Sequence, residues 1–254
     1  MDYRIARHSV AALLVGLSPQ LILDRRAVGS DEAVAEQPAA AQPVEEQPAG
    51  ERFDHRVRED LFAGFNGDRA AMDRALAVCD KALGQDPKHA EAMVWRGAGR
   101  VFLAGQAFQA GRQQEGFQLW FTGLVDLDTA VALRPDDIAV RIPRAAVLVP
   151  AARNAPESMR TSLLQKALDD LLKIQQLHGK DFERLGQHSR GEVRMGLADV
   201  YRQLGQLDSS NEQLHLVKQQ LAETEYADRA DEWLKAPREA RLQHSCIGCH
   251  DAGA

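Results

Sequence analysis

Ala82-Leu83-Gly84-Gln85-Asp86-Pro87 and, further along, Ala130-Val131-Ala132-Leu133-Arg134-Pro135 are the two stretches on which the fold turns. Each runs out of an apolar, helix-favouring segment into a proline, which cannot continue a helix and pushes the residue before it out of helical geometry. They read as helix ends at which the chain turns. Before the first, Met72, Ala75, Leu76, Cys79 and Leu83 recur at steps of three and four, which makes one apolar helical face. After it, Trp95, Gly99 and Phe102 set large, small and large side chains at a spacing that lets two helices approach closely. Leu197, Ala198, Tyr201 and Gly205 repeat that spacing, and Leu214 and Val217 lie on the helix that follows. A longer stripe, Met159, Leu163, Ala167, Leu168, Leu171, Ile174 and Leu177, follows a start at Pro156-Glu157-Ser158, and Leu207, Leu214, Val217 and Leu221 make another. No segment from Glu51 to Lys235 alternates convincingly at period two, so the spacing predicts an all-α chain.

With Trp, Leu-Gly, Tyr, Gly, Ala and Pro at these relative places, the sequence resembles the tetratricopeptide-repeat (TPR) family over about 53–225. The resemblance implies an α-solenoid of three or four degenerate helical hairpins. It also implies a concave surface that receives another protein or peptide, not a reaction. The unit from Trp95 to Pro135, with Gly105, Gly111 and Gly116, is longer than the family's period by about a dozen residues. The middle unit, bounded by Pro143, Pro150 and Pro156, keeps mainly the apolar pattern. A generic helical bundle is the plain alternative.

The expected organisation is a signal peptide or N-terminal anchor over 1–29, a disordered linker over 30–52, the helical repeat domain over 53–235 and a C-terminal segment over 236–254. Arg4 and Arg7 precede the uncharged stretch Ser9 to Leu23, which is too short to span a bilayer comfortably and fits the apolar region of a secretory signal. Asp24-Arg25-Arg26 then stands before the small residues Ala27-Val28-Gly29-Ser30, where cleavage would fall. An apolar helix packed on a cytosolic protein is the alternative. The Ala, Glu, Gln and Pro of the linker bury too little to offset the entropy of ordering. A periplasmic or exported protein is expected, touching a membrane only through an uncleaved N-terminal segment.

The 37 acidic against 31 basic side chains, a net charge of −6, argue against a nucleic-acid binder that works by phosphate neutralisation. No phosphate loop, Gly-x-Ser-x-Gly or His-Glu-x-x-His is present, and Gly97-Ala98-Gly99-Arg100-Val101-Phe102 has Phe where the third glycine of a dinucleotide loop belongs. Asp136-Asp137 and Asp169-Asp170 are adjacent pairs whose side chains diverge on a helix, as expected of helix starts or a solvated surface. His55, His89, His178 and His188 have no ligand-like spacing and read as surface residues.

Of three cysteines, Cys79 lies on an apolar stripe and reads as a small buried hydrophobe. The other two close the chain in His244-Ser245-Cys246-Ile247-Gly248-Cys249-His250. Cys-x-x-Cys-His is the attachment signature of c-type haem. Two thiols one short turn apart form thioethers to the two vinyl groups, and the next imidazole lies beneath the iron. Cys246 and Cys249 are therefore the expected covalent links and His250 the proximal iron ligand of a single haem c, with His244, Met195 and His215 as candidates for the distal position. The resemblance to c-type cytochromes is confined to this motif. Its place near the C-terminus fits class II cytochromes, so a four-helix bundle drawn from 157–250 is the structural alternative.

The expectation is an exported haem protein that passes single electrons to or from a protein on the repeat surface. A non-redox TPR scaffold whose tail cysteines form a disulfide or bind zinc is the second reading. A haem-dependent enzyme or gas sensor is the third.

Overall fold

The computed structural model describes residues 52–237 together with Ala240 and Leu242. Among these residues all regular structure is helical. In order come α1 (Arg58–Phe65), α2 (Arg69–Gln85), α3 (Ala90–Gln109), α4 (Gln113–Leu133), α5 (Ile138–Asn154), α6 (Glu157–His178), α7 (Gln187–Gln203), α8 (Leu207–Gln220) and α9 (Glu225–Lys235). Short 3₁₀ turns occupy Phe53–Arg56 and Gly179–Arg184. The all-α expectation holds, and the two fold-deciding strings end α2 and α4 where their prolines require.

Consecutive helices pair as α1 with α2, α3 with α4, α5 with α6 and α7 with α8. Three of these hairpins share one turn. Gly67, Gly111 and Gly205 each take a left-handed φ, of 106°, 75° and 76°, which a side chain would strain. In each case the next residue's N–H reaches back five residues, from Asp68 to Ala63 O, Arg112 to Ala107 O and Gln206 to Tyr201 O, at 2.8–2.9 Å. Such six-to-one bonds with a left-handed glycine satisfy carbonyls that the ending helix leaves open. The connections between hairpins recur too. His89 N bonds Asp86 O beyond α2, and Asp137 N bonds Arg134 O beyond α4. The His89 and Asp137 side chains then cap α3 and α5 by accepting from Ala92 N and Ala139 N.

The first helix of each hairpin also packs on the first helix of the next: α1 on α3, α3 on α5, α5 on α7, and α7 on α9. One large apolar core runs from Phe53 to Val200, and a smaller one joins Met195, Ala198, Leu214, Val217, Leu221, Tyr226, Ala230 and Trp233.

Three expectations differ from what is found. Pro143 and Pro150 lie inside α5 instead of bounding a unit. Burial of Ala145, Leu148, Val149 and Ala152 on that helix outweighs the hydrogen bond each proline removes. Among the described residues of 157–250, α6 is not set apart in a separate four-helix bundle: it packs foremost on α5, and its Leu163, Leu164, Ala167 and Ile174 belong to the core shared with the earlier helices. Asp170 is not solvated. It is fully buried and accepts from Arg141 Nη1 at 2.5 Å and from Arg144 Nε and Nη2 at 2.7 and 2.9 Å. Its neighbour Asp169 faces outward, and Asp137 is the helix-start residue expected of it.

The longer second unit is built from longer helices. α3 and α4 run 20 and 21 residues and stay together because Gly97 and Gly123 bring their backbones close. On the outer side of α4, Phe117, Phe121 and Val125 are 53%, 56% and 63% exposed, an apolar stripe at helical spacing.

Candidate functional site

The motif His244–His250, with Cys246, Cys249, His250 and the distal candidate His244, lies outside the described residues, as do the expected signal over 1–29 and all of the linker but Arg52. Of the residues between α9 and the motif, the structure describes Ala236, Pro237, Ala240 and Leu242. Beyond α9, Arg202 Nη2 donates to Pro237 O at 2.5 Å. Leu242 then packs against the smaller core, and its carbonyl accepts from Arg153 Nη2 at 3.3 Å. Pro237 is thus held by α7 and Leu242 by the end of α5.

Arg153 also pairs with Asp199, whose carboxylate is buried and takes a second bond from Gln203 Nε2 at 3.0 Å. The Gln203 amide reaches across to Val149 O at 3.3 Å. These contacts close one end of the seam between α5 and α7. Further along the same seam the two helices part, leaving an apolar cleft of about 120 Å³ with Ile142, Val149, Leu171 and Val193 among its walls. Gly196 keeps it open, since a Cβ there would stand 3.2 Å from the Leu171 side chain.

His188 and Glu192, one turn apart on α7, line the cleft's polar side. Tyr226 of α9 joins them. Its hydroxyl donates to Glu192 Oε1 at 2.7 Å and lies 2.8 Å from His188 Nδ1. A phenol has one proton to give, and here it goes to the carboxylate. In the tautomer that carries its proton on Nδ1, the imidazole donates to the Tyr226 oxygen. Gly191 makes this possible: a Cβ at that position would lie 2.6 Å from the Tyr226 ring.

Of the other residues singled out by sequence, Met195 is fully buried in the smaller core between α7, α8 and α9, and His215 is exposed on α8. Cys79 is a buried thiol whose pKa burial pushes up to about 12, which keeps it protonated and unreactive. Among the described residues no three His, Cys, Asp or Glu side chains gather as a metal site, and no helix is long and apolar enough to cross a membrane. Sequence reading passed over His188 because its partners Glu192 and Tyr226 combine a helical neighbour with a residue far along the chain. Compared with family models, with curated proteins and with solved structures, the chain matches none.

Proposed function

We propose that the chain is an exported c-type haem protein on a TPR-like solenoid, passing single electrons to or from a protein that docks on the repeat surface. The observation that carries this reading is Cys246-Ile247-Gly248-Cys249-His250. Two thiols and an imidazole in that order are the donor set that covalent haem needs: Cys246 and Cys249 hold the vinyl carbons and His250 the iron. Bound there, the haem supplies a one-electron couple whose potential follows its axial ligands and burial. Arg202 and Arg153 hold the approaching segment at Pro237 and Leu242.

The solenoid reading draws support from the recurring glycine turns, the recurring connections after Asp86 and Arg134, and the succession of first helices. The apolar stripe Phe117, Phe121 and Val125 supports a protein contact, because exposed patches of this kind mark interaction surfaces.

Production in an exporting host with haem-attachment machinery tests the proposal. The expected product has the mass of the chain plus one haem and gives a c-type pyridine haemochrome spectrum. A colourless protein with a Cys246–Cys249 disulfide or bound zinc rejects it in favour of a non-redox scaffold.

A further inference from the structure

Phe117, Phe121 and Val125 stand exposed one turn apart on α4, and the two rings are braced before any partner arrives. Phe117 meets Phe108 of α3 edge-on at 5.2 Å between ring centroids and stacks on Phe121 at 6.4 Å. Phe108 in turn sits against Gly116, where a Cβ would stand 2.5 Å from its ring. Exposed rings held in this way lose little freedom when a partner covers them.

Charge decides what can cover them. The run from Gly116 to Val125 carries no charged residue, and the exposed neighbours on the same side of the helix, Gln118 and Thr122, are neutral. The acidic residues of α4 are satisfied within the chain: Glu115 by Arg112, Asp126 by Arg96 and Arg100, and Asp128 by Arg144 and Lys166. A partner recognised by charge finds no counter-charge on this face, and an anionic membrane finds no Lys or Arg on this helix. The complementary surface is one equally apolar and equally uncharged, which the chain itself supplies. Two copies at a net charge of −6 repel one another, and a neutral face is where they meet without opposing charge. The spacing is also self-complementary. In an antiparallel pair with its two-fold axis at Phe121, Phe121 meets its own copy, while Phe117, one turn before, meets Val125, one turn after.

We infer that the exposed face of α4 is a homodimer interface, with Phe117, Phe121 and Val125 packed antiparallel against the same residues of a second copy. The inference takes from the reading above only that this stripe is a protein contact, so it holds with or without attached haem.

Sedimentation velocity of the full chain, from micromolar to near-millimolar concentration, tests it. A reversible dimer is expected. Phe121→Glu sets two like charges on the axis and should raise the dissociation constant about tenfold or more, with circular dichroism and urea unfolding unchanged. Leu177→Glu, on the exposed side of α6, should leave the dimer intact. Cross-linking reads the register in a chain carrying Cys246→Ala and Cys249→Ala, and decides alone if Phe121→Glu fails to fold. Phe121→Cys should oxidise to a disulfide-linked dimer. Phe117→Cys should link to Val125→Cys when the two chains are mixed, and neither to itself, because the two-fold sets like positions about 12 Å apart along the helices. A chain that stays monomeric overturns the inference, whether the α4 face then serves another protein, a lipid vesicle or another segment of this chain. A dimer that persists in Phe121→Glu, or that links Phe117→Cys to itself, overturns it as well. Because none of these readouts involves haem, their failure leaves the haem reading to its own test.

Discussion

Gly97 and Gly123 face each other across α3 and α4 so closely that a Cβ on Gly97 would stand 2.8 Å from the Gly123 carbonyl oxygen and one on Gly123 3.0 Å from the Gly97 carbonyl oxygen. The obstacle is backbone on both sides, so a rotamer change cannot relieve it. Gly97→Ala and Gly123→Ala should each cost about 1–3 kcal/mol through forced separation of the helices. Gly105→Ala, in the same helix with open space around it, should instead stabilise by about 0.5–1 kcal/mol. Urea unfolding of the three variants checks the contrast, and equal effects at 97 and 105 would remove the packing explanation.

The pair Arg144 and Asp170 behaves differently because charge is enclosed. Burial pushes the Asp170 carboxyl up against the pull of Arg144 and Arg141, while the Arg144 guanidinium is held further in its charged form by Asp170. Arg144→Met leaves a buried carboxylate with one guanidinium fewer and should cost about 3–5 kcal/mol. The double variant Arg144→Met, Asp170→Leu should recover much of that loss. A double variant no more stable than Arg144→Met would show that the pair itself, not the stranded charge, supplies the stability.

Between α8 and α9, Asp231 receives Lys218 Nζ at 2.5 Å and also pairs with Lys235; these hydrogen bonds hold its carboxyl down at about 2. A folded-state value below the unfolded one stabilises above the unfolded pKa, and the contribution is lost as pH falls through about 2. A carboxyl carbon titration by NMR should show the low midpoint, and Lys218→Met should move it toward the ordinary aspartate range.

Cys79 provides a chemical test of the core. With its pKa raised from 9.0 to about 12, its thiolate fraction near neutral pH falls by about 1,000-fold. In a chain carrying Cys246→Ala and Cys249→Ala, native protein should resist alkylation by iodoacetamide, and denaturant should release one reactive thiol. Rapid native labelling would show that the α2 face opens without global unfolding.

Local features were legible in the residues themselves. Helix ends at Pro87 and Pro135, the start at Pro156, the burial of Cys79 and the apolar stripes follow from backbone geometry and 3.6-residue periodicity, both of which act over a few neighbours. The Cys-x-x-Cys-His string behind the haem proposal is equally local, a five-residue pattern read from its spacing. The tertiary structure decided what pairs with what. Gly97 meets Gly123, Arg144 finds Asp170, and Tyr226 turns the His188 ring, because hairpins stack and bring together residues 26 to 38 positions apart. Periodicity carries no record of such partners. Asp170 and His188 therefore look in the sequence like solvated residues, and only the packed helices give one a buried charge to satisfy and the other a fixed orientation.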